Sequence, residues 1–314
     1  MRRPSVLVTG AGGFVGRALA GGFADLGWEV FGLDRSFDGG WGFEAAREVL
    51  VDLNEGVPPG LPRVDLVIHG AWVTTDADTV EDRSAEYRTS NLRPLEAVLD
   101  YVRGTGPEAF IFLSSSGVFG PEDGAGTGTG PGETDLARGL TDDLVPTGAS
   151  SYAVAKRAGE ALVSSSPMEG TRTHIARLGY LHGPGEVARP SRTHVSLVAQ
   201  WLASARAGRP LTVRSDDPLR DWTFTSDLSP ALERLARESS SGRPLHVGSR
   251  HILRDRAWAD LVAARFPGVD VLTVPASGAV KPPMVPSDVP SLRGFEWRPP
   301  AEGLSALMSE VGVP

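Results

Sequence analysis

The sequence predicts an α/β fold built on a doubly wound parallel sheet, and two observations carry that prediction. Short runs of β-branched and aliphatic residues alternate with longer amphipathic stretches through the first two-thirds of the chain. The runs hold few charges, which is typical of strands covered by helices on both faces. Together they indicate parallel βαβ units, with strands expected at 5–9, 29–33, 49–52, 66–69, 110–114 and 174–178.

The last third of the chain departs from this alternation after the turn at 183–185. A smaller C-terminal α/β substrate lobe is therefore expected over 179–314, with some segments returning to the sheet domain of 1–178. The glycine-rich stretch 120–148 is predicted to be a surface loop. Elements expected in the last third are a helix at 195–207, a hairpin arm at 220–225, a helix from 227, a strand at 245–248 and helices at 255–266 and 302–310.

Composition excludes several classes of function. The formal charge of -8 argues against binding to a nucleic-acid backbone or an anionic membrane. The absence of cysteine excludes disulfides, thiol nucleophiles and thiolate metal ligands, and no metal site is predicted. No apolar run approaches the length of a signal sequence core or a membrane span, so a soluble cytoplasmic protein is expected.

A glycine-rich loop joins the first predicted strand to the first predicted helix. Gly10, Gly13 and Gly16 allow a tight turn, permit close approach of a pyrophosphate and open a helix whose amides point at the anion. Phe14 and Val15 belong to the same loop and are expected to contact the same ligand. The position of the loop predicts a dinucleotide site in a Rossmann-type sheet.

An acidic residue at the end of the second predicted strand bears on the choice of dinucleotide. Asp34 stands 18 residues beyond Gly16, where a carboxylate accepts both hydroxyls of the adenosine ribose and repels a 2′-phosphate. Arg35 follows it and offers the opposite possibility, a clasp on a 2′-phosphate. NAD is favoured over NADP, with both side chains expected at the ribose.

A tyrosine and a lysine share one face of a predicted helix. Tyr152 and Lys156 are four residues apart in Ser-Tyr-Ala-Val-Ala-Lys. A free phenol has a pKa of about 10, and a neighbouring ammonium lowers it by favouring the phenolate. Tyr152 is therefore a candidate to take a proton from an alcohol or give one to a ketone.

Taken together, the loop and this pair resemble the extended short-chain dehydrogenase/reductase family, in particular its NAD-dependent sugar-nucleotide epimerases and dehydratases. The chain also carries Ser-Ser-Ser-Gly-Val-Phe-Gly at 114–120, similar to the family's Ser-Ser-x-x-Val-Tyr-Gly. Aligned on this segment, Ser115 is carried over as the serine that hydrogen-bonds the reacting oxygen. The resemblance implies a catalytic triad of Ser115, Tyr152 and Lys156.

Further matches extend the resemblance along the chain. Asp52 and Leu53 match the acidic segment that the family places near the adenine, and Ala71 ends a stretch similar to its fourth strand. Asn91 corresponds to the family's Asn that steadies the active-site helix. The resemblance adds these residues to the cofactor site and implies a homodimer formed through the helices that hold Asn91 and Tyr152.

The substrate side both matches and departs from the family. Arg220 begins an Arg-Asp-Trp segment similar to the one whose arginine holds the diphosphate of a nucleotide sugar. Tyr180 stands where the family usually has an Asn that touches the sugar or its phosphates, which leaves the sugar open. Ser116 and a glycine follow Ser115 where the family's dehydratases carry Asp and Glu, which disfavours dehydration. Ser115, Ser116, Tyr180 and Arg220 are the expected substrate contacts.

These observations predict an NAD-dependent epimerase that oxidises a carbinol of a nucleotide sugar transiently to a keto intermediate. The alternative is an NAD(P)-dependent dehydrogenase or ketoreductase of a sugar, sugar acid or natural-product ketone, which Tyr180 favours. A third interpretation is a cofactor-binding regulator without catalysis. The presence of Ser115, Tyr152 and Lys156 argues against it.

Overall fold

A computed structural model describes residues 2–37, 46–74, 84–123, 139–188, 195–240 and 242–310. The strands within these ranges are β1 Ser5–Thr9, β2 Glu29–Asp34, β3 Ala46–Leu50, β4 Leu66–His69, β5 Ala109–Ser115, β6 Arg172–Leu178, β7 Tyr180–His182, β8 Leu211–Arg214, β9 Leu219–Phe224, β10 Leu245–Val247, β11 Ile252–Arg254 and β12 Val271–Val274. The helices are α1 Phe14–Asp25, α2 Ser84–Thr105, α3 Ser151–Ser164, α4 Leu197–Arg206, α5 Leu228–Leu235, α6 Asp255–Ala263 and α7 Pro300–Glu310.

Seven strands form one parallel sheet in the order β10-β6-β5-β4-β1-β2-β3. The chain winds outward from β1 to β3 in one direction and then from β4 to β10 in the other. The change of direction falls between β1 and β4, and ligands of such sheets bind at this switch point, beyond the carboxyl ends of the strands. The predicted Rossmann-type doubly wound sheet is confirmed.

Side chains of the central strand alternate between two helical layers, as the twofold repeat of a strand requires. Val6 and Val8 are fully buried in one core with Phe23 of α1, and α5 completes that layer. Leu7, between them, points to the opposite core and lies in it with Leu99 of α2. Both faces of β1 are therefore covered, which explains its run of apolar residues.

The bounds predicted for the third strand are wrong, because an acidic residue within the predicted range ends the strand early. The expected strand at 49–52 is observed as β3, Ala46–Leu50, which ends before Asp52. The carboxylate of Asp52 accepts a hydrogen bond from the Asn54 amide at 2.9 Å and caps the short 3-10 helix Leu53–Glu55. This local hydrogen bond competes with a strand ladder and turns the chain out of the sheet.

The C-terminal part divides between the sheet and a lobe. The strand expected at 245–248 is β10, which extends the main sheet beside β6, and α5 packs on α1. The lobe contains the sheet β11-β9-β7, the strand pair β12-β8 and helices α4, α6 and α7. The predicted hairpin arm at 220–225 is wrong in its pairing, because β9 pairs with the distant β11 and with β7. A cluster of tryptophans fills the lobe core: Trp201, Trp222 and Trp258.

Residues 281–289, here called the C-terminal strap, cross back from the lobe to the sheet. Val285 donates its amide proton to the Leu140 carbonyl at 2.8 Å, and Ser287 donates its own to the His246 carbonyl of β10 at 3.0 Å. The strap thus joins the described end of the predicted glycine-rich loop to the main sheet. Residues 124–138, the central portion of the predicted loop, lie outside the described residues, so the loop there stays a prediction.

The structure also bears on membrane insertion. Within the described ranges, no helix combines the length and the apolar character that crossing a membrane requires.

Candidate active site

A cavity of about 1220 Å³ lies at the switch point of the sheet. Clefts for drug-sized ligands usually measure roughly 300–1,000 Å³, so this one has room for a cofactor and a second ligand. The sheet domain forms one wall and β7 with the start of α4 forms the other. The predicted site residues that line it are Gly10, Gly13, Phe14, Val15, Gly16, Asp34, Arg35, Asp52, Leu53, Ala71, Asn91, Ser115, Ser116, Tyr152, Lys156 and Tyr180.

The glycine loop is closed so tightly that side chains are excluded from it. Gly10 has φ +71, and a Cβ on it would lie 2.7 Å from the backbone of Ala71. A Cβ on Gly16 would lie 2.1 Å from the Gly10 carbonyl oxygen. Helix α1 begins at Phe14, directly behind Gly13, so the positive end of its dipole adjoins the cavity. The loop therefore has the shape and the electrostatics of an anion cradle.

Asp34 is held at the cavity wall by backbone amides. Its Oδ2 accepts the Gly12 N–H at 2.9 Å and its Oδ1 accepts the Arg35 N–H at 2.6 Å. These bonds fix the carboxylate beside the glycine loop while the side chain remains part of the cavity lining. Arg35 itself is exposed at the rim.

Asp52 and Asn91 brace the neighbouring segments. Hydrogen bonding from the Asn54 amide lowers the pKa of Asp52, against the opposing effect of its partial burial, so the carboxylate is ionised at neutral pH. Asn91 is buried, accepts the Val73 N–H at 2.7 Å and donates to the Tyr87 carbonyl at 3.0 Å. It fixes the stretch after β4 against α2.

The catalytic candidates Ser115 and Tyr152 both lie close to Gly117. A Cβ on Gly117 would lie 2.8 Å from Cε1 of Tyr152 and 3.3 Å from Oγ of Ser115. The Ser115 hydroxyl accepts the Gly117 N–H at 3.0 Å at the end of β5. Tyr152 lies in the first turn of α3, whose N-cap Ser150 accepts the Ala153 N–H at 3.1 Å. The end of β5 and the start of α3 therefore bring the Ser115 hydroxyl and the Tyr152 ring close together.

Lys156 lies one turn further along α3 and is almost fully buried. Its Nζ donates to the Leu113 carbonyl at 2.7 Å and lies 3.7 Å from the ring centroid of Trp72 and 4.9 Å from that of Phe112. Burial lowers the pKa of Lys156 well below its usual value, and the Glu160 carboxylate opposes this effect. The carbonyl and the two ring faces also favour the ammonium form.

Glu160 is a buried residue next to the site, and the sequence did not single it out. It accepts the Ser114 hydroxyl at 2.6 Å and both Nε and Nη2 of Arg177, at 2.8 and 2.7 Å. The network ties α3 to β5 and β6 directly beneath Lys156. Glu160 stands four residues after Lys156, a spacing that places both on one helix face and was the available signal.

Tyr180 lies in the wall of the cavity, and Arg220 lies behind it. Tyr180 lines the cavity, whereas the Arg220 guanidinium lies 4.5 Å from its ring centroid and does not belong to the lining. Arg220 forms a bidentate ion pair with Asp255 at 2.7 and 3.0 Å, with both side chains buried. The pair occupies Nε and Nη2 of Arg220 and leaves the Nη1 donors outside it.

Lys281 of the strap is a second residue that the sequence analysis missed. Its Nζ donates to Oγ of Ser116 at 2.9 Å and lies 4.4 Å from the ring centroid of Tyr180. It also lines the cavity. The residue stands 165 positions from Ser116, so no local spacing connects the two.

The residues present fit a nicotinamide dinucleotide. A side chain would fill the cradle at Gly10 or Gly16, and the fixed carboxylate of Asp34 stands next to it. The glycine loop would hold the diphosphate, Asp34 the adenosine ribose, and the surroundings of Tyr152 and Lys156 the nicotinamide end. Fold and site together define a class of dinucleotide-dependent enzymes.

Comparison with known proteins narrows this class. The model of the NAD dependent epimerase/dehydratase family matches residues 6–248, and the chain belongs to that family. It is accordingly an NAD-dependent enzyme of the extended short-chain dehydrogenase/reductase type.

Named relatives carry reductase and epimerase descriptions. The dTDP-4-dehydro-6-deoxy-D-allose reductase of Streptomyces bikiniensis is 30% identical over 246 residues, covering 74% of this chain and 72% of the reductase. A Bacillus subtilis protein described as an uncharacterized UDP-glucose epimerase is 26% identical over 261 residues, covering 77% of this chain and 76% of its own.

Solved structures share the fold over nearly the whole length. The UDP-glucose 4-epimerase of Thermotoga maritima, solved with UDP-glucose, aligns with a TM-score of 0.76 at 18% identity and covers 98% of each chain. MoeE5 in complex with UDP-glucose and NAD aligns with a TM-score of 0.71 at 23% identity, again over 98% of each chain.

Proposed function

We propose that this enzyme is an epimerase of a nucleotide sugar, acting by transient oxidation of a carbinol to a keto intermediate. The observation that carries the proposal is the single cavity that joins the glycine loop and Asp34 to Ser115, Tyr152 and Lys156 and continues to the lobe. Family membership supports the cofactor class, and two solved structures of the same fold that hold UDP-glucose, one of them a UDP-glucose 4-epimerase, support the substrate class.

In this proposal, the glycine loop and Asp34 would hold NAD, which when bound would supply reversible hydride acceptance at the carbinol carbon. Tyr152 takes the hydroxyl proton as a phenolate and returns it at the end. Ser115 donates a hydrogen bond to the reacting oxygen and stabilises the negative charge that develops on it. Lys156, when protonated, favours the phenolate through its charge.

The choice of NAD over NADP rests on Asp34. A 2′-phosphate on the adenosine ribose would meet a carboxylate fixed by two backbone amides, at the cost of like-charge repulsion in a partly enclosed site. Arg35 stands exposed at the rim and offers less to such a phosphate than a buried arginine would.

A second candidate function is net reduction of a keto sugar nucleotide. It is favoured by the relative from Streptomyces bikiniensis, whose name is that of a reductase and whose sequence is 30% identical to this chain. Tyr180 at the cavity wall also favours it, since the family's usual Asn is replaced there. The same three residues would then act in the reverse direction, with Tyr152 giving its proton to the ketone.

An isotope experiment separates the two functions. The protein is incubated with NAD and nucleotide sugars deuterated at the carbinol carbon, and products are followed by NMR and NADH by absorbance. An epimerase gives an epimer that retains deuterium, with no net NADH. Stoichiometric NADH with a keto product, or turnover only of keto sugars with added NADH or NADPH, would instead support the dehydrogenase or reductase.

A further inference from the structure

The substrate end of the cavity contains an ammonium group beside the catalytic candidates. Lys281 donates to Ser116, the residue directly after Ser115, with Nζ and Oγ 2.9 Å apart. The same Nζ lies 4.4 Å from the ring centroid of Tyr180 on the opposite wall. The ammonium therefore stands at the reacting end of the cavity, away from the adenosine end at Asp34.

Backbone hydrogen bonds hold the strap at the residues two to four positions after Lys281. The Met284 amide donates to Oδ1 of Asp221 at 3.1 Å. Leu140 donates to the Pro283 carbonyl at 2.8 Å and accepts the amide proton of the residue after Met284 at 2.8 Å. A cation on a segment held this way is pre-organised, so it loses little conformational entropy when a ligand binds.

The surroundings of Lys281 leave its charge incompletely balanced. Its direct contacts within the described part of the chain, the Ser116 hydroxyl and the Tyr180 ring, are uncharged. Asp221 is the nearby carboxylate and interacts electrostatically with Lys281, but the two form no direct ion pair. Asp221 is buried, accepts the amide of the strap, and lies so close to Gly179 that a Cβ there would be 1.5 Å from Oδ2. The neighbouring Arg220 is already paired with Asp255.

Closure of a ligand over this end would remove water from the ammonium. A desolvated charge without a partner of opposite sign is costly, and a fixed cation in such a place selects an anionic group. The nucleotide diphosphate is not that group if the reacting sugar carbon lies at Ser115 and Tyr152, because Lys281 adjoins the residue next to Ser115.

We propose that Lys281, together with the Ser116 hydroxyl, binds a carboxylate on the sugar ring, so that the substrate is a nucleoside-diphosphate hexuronate. The inference rests on the proposed function, since it assumes that the sugar lies at Ser115 and Tyr152. It names the substrate class of that site and assigns Lys281 as the residue that determines specificity.

Binding of matched ligands tests the inference. The NAD-loaded protein is titrated calorimetrically with UDP-glucose and UDP-glucuronate, which differ in CH2OH against carboxylate, and with the corresponding dTDP pair. Wild type is expected to bind the hexuronate at least about tenfold more tightly than the hexose, equivalent to about 1.4 kcal/mol. Lys281→Met is expected to remove this preference through weaker hexuronate binding, while Lys281→Arg largely retains it.

The control is Arg209→Met, which removes an exposed cation at the surface of the lobe and is expected to leave the ratio unchanged. A wild type that prefers the neutral hexose, or a Lys281→Met variant with the wild-type ratio, would overturn the inference. If Lys281→Met weakens the binding of both ligands equally, while its thermal unfolding matches that of wild type, the inference is also overturned. Failure of wild type to bind any nucleotide sugar while it still binds NAD would count against the proposed function itself.

Discussion

In the proposed function, the action of Tyr152 depends on the environment of Lys156. Burial lowers the pKa of Lys156, yet a carbonyl at 2.7 Å, two aromatic faces and the nearby Glu160 favour its charged form. In the proposed function, a protonated Lys156 favours the phenolate of Tyr152, and an electrostatic effect of this kind is larger in a buried environment than in water.

Asp34 gives a prediction about cofactor choice at the scale of one residue. Asp34→Asn keeps the size and one acceptor oxygen but removes the charge that opposes a 2′-phosphate. The ratio of the NADP and NAD dissociation constants, measured by calorimetry, is expected to fall by about tenfold or more. Asp25→Asn, an exposed carboxylate at the end of α1, serves as the control and is expected to leave the ratio as in wild type. An unchanged ratio in Asp34→Asn would mean that Asp34 does not select the cofactor.

Which site residues the sequence can reveal depends on where their partners stand. Tyr152 and Lys156 are recognisable because one helix face brings them together, and Ser115 because a strand motif surrounds it. Lys281 reaches Ser116 through the strap, and Arg220 lies behind Tyr180 in an ion pair with Asp255, 35 residues further along. Both contacts are created by tertiary packing, which no local pattern contains.

At the scale of elements, the buried pair of Glu160 and Arg177 fastens α3 to the sheet beneath the site. Glu160→Gln leaves the Arg177 guanidinium buried without its counter-charge, so the free energy of unfolding is expected to fall by about 3–5 kcal/mol. Urea unfolding measures this change. The exposed pair of Arg256 and Asp260 provides the comparison, and Asp260→Asn is expected to cost less than about 1 kcal/mol.

A double variant shows whether the loss in Glu160→Gln comes from the unpaired charge. Glu160→Leu with Arg177→Met removes both charges and is expected to be clearly more stable than Glu160→Gln. If the double variant is the less stable protein, packing around the pair would be the main contribution.

Strands of the main sheet were predictable because covering helices require apolar runs. The expected strand at 66–69 matches β4, Leu66–His69, and the runs at 110–114 and 174–178 lie within β5 and β6. The pairing of β9 was not predictable, since β11 reaches it from beyond α5 and β10. Composition describes a strand well, but its partners are set by the topology of the whole chain.

At the scale of the whole molecule, buried histidines make stability depend on pH. Burial lowers the pKa of His69 from 6.5 to about 3 and that of His174, His182 and His246 to about 4. At these four histidines, the unfolded chain binds more protons than the folded one as the pH falls below 6.5. This contribution to stability is complete above pH 6.5 and is lost as the pH falls toward 4.

Urea unfolding of wild type and His182→Leu between pH 7.5 and about 4.5 checks this expectation. Within that window one titrating group changes the slope by at most about 1.4 kcal/mol per pH unit, so the variant should show a slope smaller by up to this amount. Identical slopes would contradict it. The comparison is needed because burial raises the pKa of three carboxyl groups, whose contributions have the opposite sign: Asp221, Asp227 and Asp255.

The assembled molecule brings the glycine loop of the sheet domain and β7 of the lobe to one cavity. The sequence resemblance also implies a homodimer through α2 and α3, which stays a prediction. The cavity requires no second copy for its described lining, because sheet domain, lobe and strap of one chain supply it.

Substitution of the proposed base tests the central claim most directly. The Tyr152→Phe variant removes the hydroxyl and keeps the ring against Gly117. NAD binding, measured by calorimetry, should stay within about twofold of wild type, while turnover of the nucleotide sugar that wild type accepts should fall by about 10²–10⁴-fold. Tyr101→Phe is the matched control and should keep wild-type turnover. It removes a phenol hydroxyl on α2 that donates to the Pro62 carbonyl. A Tyr152→Phe protein with the wild-type rate would contradict the proposed chemistry.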